Sequence, residues 1–382
     1  MALTQDMERY VQSVQDEVQQ IVRDLCAIPA PSHHEEKRAE FCKNWLETAG
    51  AESVYIDGAK NVVFPYGCDG SNEISVFFAH TDTVFPDTEP MPYVDDGEKL
   101  LCPGICDDTA NLAVLMMTAK FLLEQKITPP HGILFVCNSC EEGLGNLKGA
   151  RQIFSEYADR VKQFVTFDGY FSGLADRCVG SHRYEVEVRT EGGHSYGAFG
   201  NRNAIAELSR LVTEIYAIEV PVIANSKTTY NVGIIEGGTS VNTIAQSAKM
   251  LCEYRSDNED CLAAMQQNFE KIFANATARG LDLRVKKIGD RPCMGKVDLA
   301  KIEQMARTVT EIIERNTGIR SHRVPMSTDA NIPLSLGIPS LCLGVCEGGG
   351  MHTREEWLVK KSYHLGLAVG IETVLALTTE ET

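Results

Sequence analysis

The chain has 382 residues, of which 43% are hydrophobic and 23% are charged. This composition is that of a globular protein, and the length exceeds the ~250–300 residues that one hydrophobic core usually serves, so two domains are expected. The formal net charge of −17 argues against nucleic acids and anionic membranes as partners, because both attract basic surfaces. No apolar stretch reaches the ~20 residues of a membrane span.

The first 180 residues alternate helix-like and strand-like segments. Apolar residues at helical spacing predict an amphipathic helix over 5–28, and polar opening residues with scattered cysteines indicate a cytoplasmic protein. The alternation that follows predicts a mainly parallel sheet covered by helices. Further helices are predicted at 35–49, 108–124 and 147–157, and strands at 52–56, 61–65, 74–80, 132–138 and 163–168.

The pattern changes near residue 181, where Tyr184-Glu185-Val186-Glu187-Val188 alternates as a half-exposed strand should. The elements that follow have the order β-α-β-β-α-β of a ferredoxin-like split βαβ sandwich. We therefore expect an α/β catalytic domain formed by 1–180 and 295–382, with a small domain of 181–294 inserted into it. The predicted helices of the inserted domain are 202–218 and 259–279, and its later strands are 228–236, 246–255 and 281–288. In the part of the catalytic domain after 295, the sequence predicts a helix at 298–315 and a strand at 341–345.

Acidic and histidine side chains follow the apolar strands of the large domain. The strand at 132–138 leads to Glu141-Glu142, and the strand at 74–80 ends in His80-Thr81-Asp82. Asp168 ends a third strand, and His352 follows the glycine-rich segment after a fourth. Such groups mark an active site in open α/β sheets, because the strand ends meet at one edge.

The candidate ligands His80, Asp107, Glu142, Asp168 and His352 suit two divalent metal ions, most simply zinc, with cobalt or manganese as alternatives. If Asp107 is shared, each metal has three protein ligands. Asp168 would then join His80 at one metal, and Glu142 would join His352 at the other. Each of these residues alone also fits an ordinary surface or core role, and Asp108 suits a helix N-cap.

Two further carboxylates have predicted roles beside the metals. A water between two metal ions has a lowered pKa, and Glu141 would take its proton as general base. Asp82 would orient the imidazole of His80. The pair Cys137 and Cys140 has the C-x-x-C spacing of a redox or metal motif, but no second pair is present, and small core side chains are the favoured interpretation.

These motifs resemble the co-catalytic zinc exopeptidases, a family that includes peptidase T, aminoacylase, succinyl-diaminopimelate desuccinylase and glutamate carboxypeptidase. The matching segments are Ala79-His80-Thr81-Asp82, Gly104-Ile105-Cys106-Asp107-Asp108, Glu141-Glu142-Gly143, Phe167-Asp168-Gly169 and Gly350-Met351-His352-Thr353. The resemblance implies the ligand, base and orienting roles given above. It also implies a cis peptide after Asp107 and an active-site location for the segment 327–331. One departure is Thr109, where many relatives carry lysine.

The resemblance extends to the inserted segment, which in relatives mediates dimerisation and contacts substrate. It implies that His194, in Gly192-Gly193-His194-Ser195, polarises the scissile carbonyl, often across a dimer. It also implies that Asn242 and Arg255 hold the substrate's carboxylate or backbone. The alternatives are a turn residue for His194 and a surface ion pair for Arg255. A homodimer is therefore expected, with a small peptide or N-acyl amino acid as the substrate.

In relatives, aspartate at the position of Asp168 tends to accompany aminopeptidases and dipeptidases. A peptidase T-like aminopeptidase or tripeptidase is therefore the first expectation. An N-acyl-amino-acid deacylase or carboxypeptidase of the same family is the alternative. Two functions of other classes stay open. One is a catalytically silent scaffold, which would lack a ligand or the base, and the other is a thiol-redox protein that uses Cys137 and Cys140.

Overall fold

The computed structural model describes residues 4–379. The chain forms two compact units, of which unit 1 comprises 1–178 and 296–382 and unit 2 comprises 179–295. The N-terminal part of unit 1 contains α1 Gln5–Ser13, α2 Gln15–Cys26, α3 Glu36–Thr48, β1 Tyr55–Ile56, β2 Val62–Tyr66, β3 Ile74–His80, β4 Val94–Asp95, β5 Lys99–Leu101, α4 Ala110–Glu124, β6 Gly132–Asn138, α5 Lys148–Tyr157, β7 Val161–Phe167 and β8 Gly173–Ala175.

Unit 2 and the return of the chain to unit 1 follow. The elements of unit 2 are β9 Gly180–Arg189, β10 Gly193–His194, α6 Ala204–Tyr216, β11 Thr228–Gly237, β12 Thr243–Ile244, β13 Ser247–Ser256, α7 Glu259–Ala278 and β14 Asp282–Arg291. The C-terminal part of unit 1 contains α8 Leu299–Thr317, β15 His322–Arg323, α9 Asn331–Ser335, β16 Ser340–Leu343, β17 Gly348–Gly349, β18 Trp357–Val359 and α10 Ser362–Thr379.

Unit 1 is built on an eight-stranded sheet with the order β1-β2-β6-β3-β7-β16-β8-β15. Its centre, β6-β3-β7-β16, is parallel, while β1 and β2 at one edge are antiparallel. Every residue of β3 and β6 is buried, as expected for apolar strands covered on both faces. The prediction of an α/β fold with a large, mainly parallel sheet is confirmed.

The helices of unit 1 explain one error of the sequence analysis. The single helix predicted over 5–28 is two helices, because Val14 has φ −105° and ψ 12° and interrupts the helix. The apolar spacing runs across this break, and both helices pack on α10 and α4, with the ring of Tyr10 in α1 5.0 Å from that of Phe121 in α4. Helices α4 and α10 are buried along nearly their whole length. No helix among residues 4–379 is long and apolar enough to cross a bilayer.

Unit 2 contains a four-stranded antiparallel sheet with the order β11-β13-β9-β14. Helices α6 and α7 pack on it, and the chain order of its long elements is β-α-β-β-α-β. The alternation in β9 buries Tyr184, Val186 and Val188 in the core of this unit, and the glutamates between them are partly exposed. Period-2 patterning is therefore a reliable guide to this strand.

None of the 13 cysteines forms a disulfide, and all of them are buried. Cys137 and Cys140 have different partners: a hydrogen bond with the thiol of Cys42 and burial raise the pKa of Cys137, whereas the sulfur of Cys140 lies 3.1 Å from Oε1 of Glu35. The geometry therefore favours the structural interpretation of the C-x-x-C spacing over a redox pair.

Candidate metal centre

The carboxyl ends of the central strands bring the candidate residues of unit 1 to one edge of the sheet. Strands β3 and β6 are parallel neighbours, and His80, the last residue of β3, pairs in register with Asn138 at the end of β6. Glu141 and Glu142 follow β6 after two residues, and Asp168 follows β7 directly. This is the edge at which open α/β sheets place their ligands.

Asp107 lies between two imidazoles. Its Oδ1 is 3.0 Å from Nε2 of His80, and its Oδ2 is 2.9 Å from Nε2 of His352. The ligand atoms of His80, Asp107 and Asp168 lie within 4.8 Å of one another, and so do those of Asp107, Glu142 and His352. The structure therefore brings all five predicted ligands together in two groups that share Asp107. A third such group consists of His80, Glu141 and Glu142.

Asp82 contacts both His80 and the turn that carries Glu141 and Glu142, called the glutamate turn below. Nδ1 of His80 lies 3.0 Å from the backbone carbonyl oxygen of Asp82 and 3.4 Å from its carboxylate. The carboxylate accepts hydrogen bonds from the backbone N–H groups of Glu141 and Glu142, both at 3.0 Å, and from the Ser32 hydroxyl at 2.6 Å. Asp82 therefore fixes the backbone of the two glutamates in addition to touching the imidazole.

A second buried carboxylate fixes the residue before Glu141. Glu35 is fully buried, and its Oε1 accepts hydrogen bonds from the backbone N–H of Cys140 at 3.2 Å and from the Cys140 thiol at 3.1 Å. Cys140 has φ 58°, in the left-handed region, and these two bonds hold it there. His33 and His34 of the same charged run are exposed, whereas Glu35 is buried.

The turn that carries Asp107 is held by Glu356. This buried carboxylate accepts three hydrogen bonds from backbone N–H groups, those of Gly104 at 2.7 Å, Cys106 at 2.8 Å and Asp107 at 3.0 Å. Burial and the nearby charge of Asp107 raise the pKa of Glu356 to about 7. Sequence reasoning missed Glu356, although its position four residues after His352 was the available signal.

Asp108 is not the N-cap that the sequence suggests. Helix α4 begins at Ala110 after a turn over Ile105–Thr109, and the capping position is Thr109. Asp108 is instead fully buried, and its Oδ2 accepts the backbone N–H of His80 at 2.8 Å. The peptide bond between Asp107 and Asp108 is cis, as the family resemblance implies.

The charges of this cluster are unbalanced without a cation. Burial and the charge of Asp107 raise the pKa of Glu142 to about 7, and they also raise the pKa of Asp168 well above its usual range. Hydrogen bonds to Asp107 and Glu142 raise the pKa of His352 to about 11. Oε1 of Glu142 lies 3.4 Å from Nε2 of the same imidazole. Imidazole nitrogens with crowded carboxylate oxygens are a donor set that fits divalent metal ions such as zinc.

Asp329 is a further buried carboxylate near the glutamate turn. Its Oδ2 accepts a hydrogen bond of 2.6 Å from Nδ2 of Asn138. Burial and the charge of Glu141 raise its pKa well above the usual range. The resemblance places the segment 327–331 near the active site but implies no role for Asp329, and sequence spacing offers no signal for its contact with Asn138.

Two of the three predicted site residues of unit 2 are neighbours. His194 pairs with Thr243 between β10 and β12, and the carbonyl oxygen of Asn242 accepts the backbone N–H of Ser195 at 2.9 Å. His194 is exposed, and its Nδ1 accepts backbone N–H groups of the following turn at 3.3 Å. Both loops are thus presented together on the surface of unit 2.

Arg255 lies apart from that pair, near the C-terminal end of β13. Its guanidinium donates two hydrogen bonds to Glu253, from Nε at 2.7 Å and from Nη2 at 3.0 Å, and Nε of Arg183 reaches the same carboxylate at 3.2 Å. This is the ion pair that the sequence left open as the alternative. A substrate carboxylate would have to share the guanidinium of Arg255 with Glu253.

Comparison with known proteins agrees with this geometry. The model of the family described as peptidase family M20/M25/M40 matches residues 76–376. Succinyl-diaminopimelate desuccinylase of Corynebacterium glutamicum is 24% identical over 347 residues, which cover 88% of this chain and 90% of that enzyme.

Two solved structures share the fold. A tripeptidase from Staphylococcus aureus has a TM-score of 0.77 at 20% identity, covering 96% of this chain and 99% of that one. A Bacillus subtilis protein described as a dinuclear metal binding peptidase from the M20 family has a TM-score of 0.65 at 14% identity, covering 96% and 99%. The family model spans most of the sequence, including His80, Asp107, Glu141, Glu142, Asp168 and His352. The chain therefore belongs to peptidase family M20/M25/M40.

Proposed function

We propose that this protein is a metal-dependent exopeptidase that cleaves the amide bond of short peptides, as peptidase T-like tripeptidases do. The observation that carries the proposal is the position of Asp107, whose two carboxylate oxygens face His80 and His352 separately at 3.0 and 2.9 Å. A carboxylate in that position can serve two metal ions at once. The Bacillus subtilis structure that shares this fold is described as a dinuclear metal binding peptidase, which supports the same assignment.

In this proposal two zinc ions are bound by five side chains of unit 1, with cobalt or manganese as alternatives. Asp107 is shared, Asp168 and His80 complete one group, and Glu142 and His352 complete the other. Bound divalent metals supply a lowered water pKa and polarise a carbonyl oxygen. Asp82 accepts the backbone N–H groups of both glutamates and so keeps the ligand Glu142 and its neighbour Glu141 in fixed positions.

The protein's own groups then move the proton. Glu141 accepts a proton from the attacking water as the new C–O bond forms at the scissile carbonyl carbon. The same carboxyl group gives that proton to the nitrogen when the C–N bond breaks, so that the amine leaves neutral. The roles we propose for unit 2 are a hydrogen bond from His194 to the carbonyl oxygen as it gains charge, and substrate binding by Asn242 and Arg255.

The identity of the amide distinguishes two activities within the family. The aspartate at position 168 and the shared fold with a tripeptidase favour a free-amino peptide as substrate. The alternative is an N-acyl-amino-acid deacylase or carboxypeptidase, and the match to succinyl-diaminopimelate desuccinylase over 90% of that enzyme is the observation that favours it. Both activities use the same metal centre and the same base.

The function is tested by removing the metals and restoring them. We expect chelator-treated protein to hydrolyse nothing, and zinc, cobalt or manganese to restore cleavage of di- or tripeptides at about two metal ions per chain. N-acetyl and N-succinyl amino acids are assayed beside the peptides. Turnover of only the N-blocked compounds would select the alternative activity, and a protein that binds no divalent metal would contradict the metal centre itself.

We also propose that the protein is a homodimer that associates through unit 2. Strand β11 is an edge of the four-stranded sheet, and its Ile234 and Ile235 side chains are 51% and 53% exposed. An exposed apolar edge strand is a template for pairing with a second chain. Sedimentation should give the mass of a dimer for the native protein and of a monomer for Ile235→Lys, while a monomeric native protein would refute the assignment.

A cytoplasmic location is the remaining part of the proposal. Its support is the set of 13 cysteines without a disulfide, which suits a reducing compartment. Fractionation of the source cells tests this location. Activity recovered outside the cytoplasmic fraction would contradict it.

A further inference from the structure

Arg38 is a buried cation in a unit whose interior is rich in carboxylates. It lies on α3 with 2% of its surface exposed, and it is the only buried arginine or lysine among the described residues of unit 1. Ten aspartate and glutamate side chains of the same unit are buried. A buried charge is costly unless other groups compensate it, so the position of this guanidinium calls for specific partners.

The hydrogen-bond acceptors of Arg38 are two backbone carbonyl oxygens and a threonine hydroxyl, and none of them is a carboxylate. Its Nε donates to the backbone carbonyl oxygen of Ile28 at 2.8 Å, and its Nη1 donates to the carbonyl oxygen of Thr81 at 3.0 Å and to Oγ1 of Thr109 at 3.3 Å. Thr81 and Thr109 are themselves fully buried. Through Nη1, Arg38 therefore joins two separate segments, those of Thr81 and Thr109.

Those two segments carry the centre of the proposed metal site. Thr81 lies between His80 and Asp82, and Thr109 lies two residues after Asp107. Burial lowers the pKa of Arg38, and the negative charge of Asp82 opposes that shift, yet arginine stays protonated in proteins. Its planar donors are fixed in direction, so they restrain the distance between the end of β3 and the Asp107 turn.

We propose that Arg38 is a positioning residue of the metal centre, which keeps His80 and Asp107 at the separation that a shared metal ion requires. The inference rests on the metal centre proposed above. Two physical effects of Arg38 on metal binding have opposite signs. Its charge repels a nearby divalent cation, so removal of the charge alone would tighten metal binding, whereas loss of positioning would weaken it. The geometry of the hydrogen bonds points to positioning as the larger effect.

The test compares Arg38→Met, which removes charge and donors at similar length, with Arg38→Lys, which keeps the charge but loses the planar group. Zinc affinity is measured by competition with a chelator, and the cobalt-substituted proteins are compared by their visible absorption spectra. We expect Arg38→Met to bind zinc about 10–100-fold more weakly, as is typical when a residue that orients metal ligands is lost. Arg38→Lys should also be weakened, and both cobalt spectra should change.

Thr109→Val provides a milder variant that leaves the arginine intact and removes only one acceptor. It should weaken zinc binding in the same direction by a smaller factor, and it keeps the proposal testable if Arg38→Met does not fold. Arg9→Met is the matched control, because the Arg9 side chain is 73% exposed, and it should bind zinc as the native protein does. Unfolding of the metal-free variants in denaturant is measured in parallel.

The outcomes separate the inference from the function on which it rests. A native protein that binds no metal would overturn the metal centre. A native protein that binds two metals while folded Arg38→Met binds them equally or more tightly, with an unchanged cobalt spectrum, would overturn the positioning role alone. Lowered stability of the metal-free variant with unchanged zinc affinity would show that Arg38 is merely structural.

Discussion

Replacement of Glu141 by glutamine should lower kcat by a factor of about 10²–10⁴, the usual contribution of a general base, while the metal content stays that of the native protein. The amide cannot accept the water proton, but it has nearly the shape of the carboxylate. The backbone of the turn is held by Asp82 and Glu35, so the loss should be chemical and not a loss of fold. Metal analysis and steady-state kinetics on the substrate identified above measure both parts.

The neighbouring glutamate supplies the matched comparison for Glu141. Glu142→Gln should lose metal, because Glu142 belongs to the group with Asp107 and His352. Glu314→Gln, at an exposed position of α8, should change neither property. Turnover of Glu141→Gln near the native rate would reject the base assignment. Loss of a metal ion in that variant would instead make Glu141 a ligand, as its grouping with His80 and Glu142 would permit.

Replacement of Asp107 by alanine should abolish binding of both metal ions, whereas His352→Ala should abolish binding of only one. The reason is that Asp107 belongs to both ligand groups and His352 belongs to only one. We expect the stoichiometry to fall from about two metal ions per chain to about zero in the first variant and to about one in the second. Atomic absorption after gel filtration measures these values.

The controls for Asp107 separate metal loss from unfolding. Asp69→Ala, at an exposed turn, should retain both metal ions, and circular dichroism should show native helix content in all three variants. Two tightly bound metal ions in folded Asp107→Ala would refute a shared ligand. Equal loss in Asp107→Ala and His352→Ala would show that the two ions bind only as a pair, which would remove the distinction between the groups.

The five candidate ligands could be found in the sequence because their signals are local. His80, Glu142 and Asp168 each follow a short apolar run, and a run of that kind predicts a buried strand with a polar end. The parallel order of such strands then brings their ends to one edge, whatever the details of packing. The alternation in β9 and the order of the long elements of unit 2 are local signals of the same kind.

The buried groups that hold the segments around these ligands, Glu35, Glu356 and Arg38, could not be found from local sequence patterns. Glu35 lies 105 residues before its partner Cys140, and Glu356 lies 249 residues after its partner Asp107. In the sequence, Glu35 and Arg38 belong to a charged run typical of an exposed helix start. The face of α3 that packs inward decides their burial, and the spacing of charges does not encode which buried backbone group each of them will reach.

The break at Val14 shows the same limit for secondary structure. Apolar residues keep helical spacing from Met7 to Leu25, so the pattern alone predicts one helix. The chain nevertheless divides at Val14, whose backbone leaves the helical conformation although the apolar spacing continues across it. Short-range patterning thus determined the class of fold and the chemistry at the strand ends. Only the tertiary structure decided which buried carboxylates and which arginine hold that chemistry in place, because those contacts join segments that are far apart in the chain.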